Sequence, residues 1–354
     1  MVHRQTGIDL VKVLAMVLIT ATHYIGYSGV LENQELLLSN RIIFAGIFVL
    51  SRAALNLFAI STGYLMYMKA FSCKRIFRIW FDVVFVSFAG LLVAVVFFEI
   101  PSIGILLKSI LPVSTFSYWY INTHFSLLCI APLLNMLIEK VSAQTHLKIC
   151  CTLTVVLCVF FTSNPFANPM VYVGHGRGIV WFSALYLWGG CLARREITFP
   201  KYIAMMASIG MVCVLTVLEL LKNKLPWITR FNMFEVNSLA MFIIALSMFV
   251  LLKDISFESE IKKKTLCILS ESSLFVYLIQ EHNALRDIFW SLFRTTELAD
   301  SFWIWIDFWV AMICLWPCAW LIRKMTVRIW PIFMRNVKPL LDKINKQFGC
   351  TVEE

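Results

Sequence analysis

Stretches of roughly 20 mostly apolar residues follow one another along this chain, at 8–28, 42–68, 79–99, 117–139, 148–163, 179–193, 202–221, 234–252, 266–290 and 302–322. About 20 such residues are what a helix needs to cross some 30 Å of hydrocarbon. Of the 354 residues 60% are hydrophobic and only 15% charged, too little polar side chain for a soluble protein of this size. The expected fold is therefore an all-α integral membrane protein, a bundle of about ten transmembrane helices within residues 1–322. A basic, amphipathic tail follows at 323–354, suited to lying along the inner leaflet. The first run continues past Tyr24 with no small-residue cleavage site behind it, so it is expected to stay attached as an anchor. The apolar segment 101–116 has the character of a re-entrant piece.

Lys and Arg accumulate on the cytoplasmic side of membrane proteins, whereas Asp and Glu matter little to orientation. With the N-terminus inside, 21 of the 31 Lys and Arg residues fall on inner segments, seven on outer ones, and Lys12, Arg52 and Arg286 within spans. Both termini are thus expected in the cytoplasm, and the net charge of +10 is mainly topology. Its spread over five inner segments and a tail forms no single stripe and implies no nucleic-acid partner. The eleven cysteines are odd in number, lie mostly within the apolar runs and include no CxxC pair. They support neither a disulfide framework nor a zinc site. There is no internal repeat, no appended soluble domain, and neither HExxH nor GxSxG.

The informative residues are the ionisable ones that hydrocarbon penalises by about 2.5–3.5 kcal/mol each, and which tend to face a bundle interior. In the first span, "DLVKVLAMVLITATHY", Lys12 and His23 are eleven residues apart, about three turns, and so share a face at roughly 16 Å separation along the axis. Asp9 lies one turn before Lys12 and Thr20 one turn before His23, which makes a polar stripe running from the cytoplasmic end outward. An interfacial Asp9–Lys12 pair plus a packed histidine would explain the same letters. The aligned histidine favours a lined cavity.

The second span reads "SRAALNLFAISTGYLMY". Arg52 lies too deep to reach the outer interface easily and calls for an anionic partner. Ser61, Thr62, Gly63 and Tyr64 interrupt the apolar run, as close helix packing would also require. Arg75 and Arg78, one turn apart in "CKRIFRIW", suit bidentate grips on phosphates, although positive-inside residues need no function. The ninth span, "SESSLFVYLIQEHNALRDIFW", is the most polar: Ser273 and Tyr277, Tyr277 and Glu281, and His282 and Arg286 are all i, i+4 pairs. His124 belongs to the fourth span, His175 to a glycine-rich loop and His146 to a flank. No pair of histidines has metal-ligand spacing, and no metal is expected.

Taken together, these residues resemble the membrane-bound acyltransferase 3 family. Asp9, Lys12 and His23 look like its opening Asp-x-x-Arg/Lys and its basic residue followed by a spaced histidine. Arg52, Phe58, Ser61, Gly63, Tyr64 and Leu65 are similar to its Arg…Phe-x-x-x-Ser-Gly-Tyr-Leu pattern, with Thr62 inserted and Asn56 where proline is frequent. Arg75 and Arg78 match its Arg-x-x-Arg. "YWYINTHFSLLCIAPLLN" resembles the Pro-Leu-Leu-Asn helix of the branch acting on capsule and exopolysaccharide. Ser273, Tyr277, Leu278 and Ile279 match a late Ser-x-x-x-Tyr-Leu-Ile-His motif, with Gln280 in the histidine place. On a continuous helix His282 would lie about 200° round from that place.

The resemblance implies transfer of an acyl group, usually acetyl, from cytoplasmic acyl-CoA to a hydroxyl of a surface polysaccharide or lipid-linked sugar precursor. The expected setting is the cell inner (plasma) membrane, among membrane lipids, with acetyl-CoA as donor substrate and no permanently bound cofactor. On this reading His23 is the general base or the residue relaying the acyl group, oriented by Glu281 or Tyr277. Lys12, Arg75 and Arg78 meet the donor phosphates. Arg52, His282 and Arg286 serve the acceptor or an oxyanion, and Asp9, Ser61, Tyr64 and Ser273 support them. The alternative is a transporter or flippase of a lipid-linked sugar, in which the stripe is a polar path without chemistry. The absence of repeated halves speaks against that alternative.

Overall fold

The computed structural model describes residues 5–69, 72–98, 100–166, 168, 174–195 and 198–348, and the described residues form helices and connecting turns without a strand. In chain order the helices are α1 (Thr6–Ser28), α2 (Leu38–Arg52), α3 (Ala54–Met66), α4 (Cys73–Phe97), α5 (Ile103–Ile110), α6 (Trp119–Lys140) and α7 (Ala143–Thr154). They continue with α8 (Ile179–Ala193), α9 (Lys201–Leu221), α10 (Leu239–Leu252), α11 (Glu260–Gln280), α12 (Arg286–Trp290), α13 (Trp303–Ile313) and α14 (Leu315–Phe348). A π-turn at Val155–Val159 carries α7 on to Ser163.

Seven segments are long and apolar enough to cross a membrane: 6–28, 38–66, 73–97, 119–140, 143–163, 201–221 and 303–339. α8 and α10 are apolar but shorter, at 15 and 14 residues. α11 opens on Glu260, Lys262, Lys263 and Lys264 and is not among the seven. The protein is thus an all-helical, multi-pass membrane protein, with the expected segments at 179–193, 234–252 and 266–290 present as shorter or more polar helices.

Three expected helices are interrupted, the tenth by a one-residue turn at Cys314 between α13 and α14. The second span breaks at Ala53, where Arg52 and Asn56 turn their side chains to the carbonyls of Phe234 and Val236. The ninth ends at Gln280, so Glu281 and His282 lie in a turn and Arg286 opens α12. The physical reason is that His282 spends its ring on Ser87 and the backbone of Ala284, and the Trp290 indole closes on the Gln280 carbonyl at 3.3 Å. At the other end, α14 runs through the boundary expected at 322–323 without a break as far as Phe348. Residues 349–354 of the expected tail lie outside the described residues.

The helices form two compact groups. The first comprises Met1–Tyr67, Leu134–Ser270 and Phe293–Met312. Its tightest contact is α3 against α8, where two glycines let the backbones touch. A Cβ on Gly63 would stand 2.1 Å from the Tyr186 carbonyl oxygen, and one on Gly189 2.2 Å from that of Ile60. Small residues at such crossings are how membrane helices gain dispersion contact without a hydrophobic driving force. The crossing is keyed by polar groups: Tyr186 donates to Asn135 Oδ1 at 3.0 Å, Asn135 donates to the Met66 carbonyl at 3.0 Å, and Trp188 donates to Thr154 at 2.9 Å. Gly7 lets the start of α1 meet the end of α10, its Cβ position being 2.3 Å from the Lys253 carbonyl oxygen.

The second group comprises Met68–Leu133, Glu271–Leu292 and Ile313–Glu354. α4 packs on α14 through Phe81, Trp330 and Phe333, with ring centroids 4.9–5.7 Å apart. Glu271 and Arg323 form an ion pair in the same group.

Candidate active-site residues

In the first group, α1 carries the expected stripe. Asp9 is buried at its start, Lys12 and His23 are half-buried, and Thr20 is buried with its hydroxyl donated to the Met16 carbonyl at 3.0 Å. The imidazole of His23 lies 5.7 Å from the ring of Tyr27 at a 52° tilt. One unbroken helix from Thr6 to Ser28 fixes Lys12 and His23 on one face, about three turns apart.

Among the described residues Arg52 forms no direct ion pair, although Glu235 and Glu219 act on it electrostatically. Its Nε donates to the Phe234 carbonyl at 3.0 Å, and its guanidinium lies 5.8 Å from the Phe48 ring. Asn56, fully buried, donates to the Val236 carbonyl at 2.8 Å and accepts from the Trp181 indole at 3.0 Å. Arg52 and Asn56 therefore anchor the 234–236 loop, whose Glu235 in turn pairs with His175 at 3.2 Å. Ser61 donates to the Leu57 carbonyl at 2.7 Å and Thr62 to that of Phe58 at 2.9 Å, so both hydroxyls turn back on their own helix. Tyr64 packs edge-on to Phe249.

In the second group, Arg78 grips Asp82 one turn later, Nε to Oδ2 and Nη2 to Oδ1 each at 3.0 Å. Its Nη2 also donates to Thr326 at 3.1 Å, and the guanidinium lies 5.1 Å from the Trp330 ring. Arg75 stands one turn earlier on the same helix, half-buried.

Tyr277 and Ser273 are buried on α11. The Tyr277 ring meets Tyr118 at 6.2 Å and Tyr120 at 5.7 Å, and Tyr120 stacks on His124 at 5.9 Å. These four rings, with Glu281 one turn beyond Tyr277, form an aromatic and polar cluster. His282 is 1% exposed, and this figure fixes its role: a sealed ring with Nε2 2.8 Å from the Ser87 carbonyl oxygen and Nδ1 accepting from the Ala284 N–H. That pattern assigns the neutral form with the proton on Nε2. Gly90 makes room for the ring, since its Cβ would lie 2.6 Å from it. Arg286, half-exposed, pairs with Asp287 at 2.9 Å. Gln280 is wholly buried.

Two carboxylates escape a reading based on basic residues and histidines. Asp82 holds Arg78, and Asp307 on α13 accepts from the Tyr24 hydroxyl at 2.9 Å. The signal for both is an acid inside an apolar run, which orientation rules pass over because acids carry little topological information. Among the described residues no group of His, Cys, Asp and Glu is placed to hold a metal ion, and the described cysteines are free thiols.

No curated protein and no solved structure matches the chain significantly. The sequence model of the acyltransferase 3 family, described as an acyltransferase domain, does match, over residues 5–323. That span takes in the α1 stripe, the Arg75–Arg78 pair and the Tyr277 cluster alike, and the chain belongs to the acyltransferase 3 family of membrane acyltransferases.

Proposed function

We propose that this membrane acyltransferase moves an acyl group, acetyl in the simplest case, from cytoplasmic acyl-CoA to a hydroxyl of a surface polysaccharide or of its lipid-linked sugar precursor. The setting is the inner (plasma) membrane, crossed about ten times with both termini in the cytoplasm. The observation that carries the reading is the α1 face on which Lys12 and His23 stand about 16 Å apart. That separation allows a cation near the donor phosphates and a proton acceptor near a thioester. Family membership favours acyl transfer over transport of a lipid-linked sugar.

In the proposed step a ring nitrogen of His23 takes the proton of the acceptor hydroxyl as its oxygen attacks the thioester carbonyl carbon. The carbon–sulfur bond then breaks, the new ester forms, and the imidazolium returns its proton to the departing CoA thiolate. An imidazole is suited to both directions of proton transfer near neutral pH. Lys12 is the cation proposed for the donor phosphates on α1, and Arg75 is proposed separately as a phosphate-binding residue of α4. Arg78, committed to Asp82 and Thr326, is proposed to act there only by supporting α4. Arg52 keeps a proposed acceptor role in the first group, and the Tyr277, Glu281 and Arg286 cluster is proposed as a separate polar site of the second. His282, with both nitrogens engaged, is proposed as structural.

The test is thioester consumption by the purified protein in lipid nanodiscs, using acetyl-CoA as donor, together with the mass of the cell-surface glycan with and without the protein. A proton-transfer residue contributes typically 10²- to 10⁴-fold in rate. His23→Ala and His23→Gln are therefore both expected to lose nearly all transfer while binding acetyl-CoA normally. Near-normal turnover in His23→Gln would reject the general base, and a glycan of unchanged mass would reject the acceptor class.

A further inference from the structure

We infer that Asp307, acting through the hydroxyl of Tyr24, is the positioning residue that holds the His23 face of α1 in its working orientation. The inference rests on His23 being the base.

Tyr24 follows His23 directly and is completely buried. Its ring is packed by Phe44 at 6.2 Å, Phe293 at 6.0 Å and Phe308 at 5.2 Å. In such surroundings a phenol hydroxyl needs a partner, because an unmet polar group there is costly. Asp307 Oδ2 supplies it at 2.9 Å. A charged acceptor makes this bond stronger and more directional than a neutral one. The other oxygen, Oδ1, accepts a longer contact from the Arg294 N–H, with N···O 3.4 Å. A second tether lies one turn on, where the buried Thr295 hydroxyl donates to the carbonyl of Ser28 at 3.4 Å. Just beyond, Gly29 ends α1 with φ 62°. The outer end of α1 is therefore held by two bonds from the 294–307 segment.

The geometry explains why this matters to the neighbouring histidine. Consecutive helical residues point about 100° apart, so the buried Tyr24 pins the rotation of α1 while His23 faces elsewhere. A rotation of about 20° would carry a ring at the helix periphery roughly 2 Å sideways. Misplacement by about 1 Å can cost on the order of 100-fold in rate.

The experiment uses the full-length protein in nanodiscs with acetyl-CoA. Tyr24→Phe and Asp307→Ala are expected to lower kcat about 10- to 100-fold at unchanged KM for acetyl-CoA. Asp307→Asn, which keeps an acceptor, should recover most of the loss. In a His23→Ala background, Tyr24→Phe should remove nothing further, because the two act as a unit. A second readout does not depend on turnover: carbethoxylation of His23 by diethyl pyrocarbonate, followed by mass spectrometry, with His175 as internal control. Its rate should change severalfold in Tyr24→Phe while that of His175 stays constant. Unchanged labelling of His23 overturns the inference, whether or not turnover falls, since a loss without reorientation is structural. Full turnover in His23→Ala would instead sink the general-base reading, and the labelling would still decide whether the tether sets the ring.

Discussion

Arg78 and Asp82, one helical turn apart on α4, meet as a two-pronged ion pair with both contacts at 3.0 Å. The carboxylate is 5% exposed, so this guanidinium is committed within the protein before any donor arrives. A phosphate competing for Arg78 would have to draw it off a buried acid that only Thr326 and Arg323 would then support, a costly exchange.

Separate consequences are expected for the two arginines of the Arg-x-x-Arg motif. Arg78→Ala should destabilise the protein by about 3–5 kcal/mol, seen as a lowered Tm in detergent, and adding Asp82→Asn should restore part of it. Arg75→Ala should weaken acetyl-CoA binding by about 1.5–3 kcal/mol, measured by titration calorimetry. Unchanged affinity in Arg75→Ala, or an unchanged Tm in Arg78→Ala, would refute this division.

His282 and Gly90 form a lock-and-recess pair that mutagenesis can separate from chemistry. His282→Ala should lower stability by roughly 2 kcal/mol, through the lost bond to Ser87 and the void left behind. Gly90→Ala should be destabilising as well, because its Cβ would lie 2.6 Å from the imidazole. The double variant should be more stable than the sum of the two losses predicts, a coupling that thermal melts would reveal. Strict additivity would mean that the ring and the recess are independent.

The α3–α8 crossing predicts that Gly63→Ala and Gly189→Ala each destabilise by at least about 1–3 kcal/mol, since the contact is with backbone carbonyls that cannot step aside. The effect should appear as reduced Tm and reduced yield of folded protein. Wild-type melting of Gly63→Ala would contradict the close approach.

Orientation is tested by reporter fusion. With 21 basic residues on inner and seven on outer segments, a reporter attached after residue 354 is expected to be active in the cytoplasm. Activity confined to the outer side would reverse the topology.

The helical, multi-pass character of the chain was legible from apolar run lengths alone, because the bilayer thickness sets a length that few soluble segments match. The shared face of Lys12 and His23 was legible for a similar reason: α1 is a single regular helix, so spacing translates directly into direction. Where helices break, spacing loses that power. Gln280 closes α11, and the angular argument about His282 does not survive past it. Its two ring bonds, to Ser87 and to Ala284, involve one partner 195 positions away and one inside a turn that no periodicity announces. Arg52 showed itself as a buried cation in search of an anion; Glu235 and Glu219 do act on it electrostatically, but its hydrogen bond goes to a backbone carbonyl 182 positions away. Carbonyls are the same at every position of a sequence and leave no letter to read. Asp307 did leave a letter, but its partner Tyr24 is ordinary in an apolar helix, and their pairing spans 283 positions.

The final helix has a mechanical consequence. At about 1.5 Å per residue, the 34 residues of α14 make a rod of about 50 Å, while the hydrocarbon of a bilayer is about 30 Å thick. Over the ordinary range of tilt, about two to four turns must stand among headgroups or in water. Pro331 and Pro339 lie within the rod, each removing one backbone hydrogen bond, so the positions at which this helix can bend fall from its midpoint onward. Removing one whole turn would shorten it by about 5 Å and leave the bearing of its end nearly unchanged, whereas removing two residues would turn that end by about 200°.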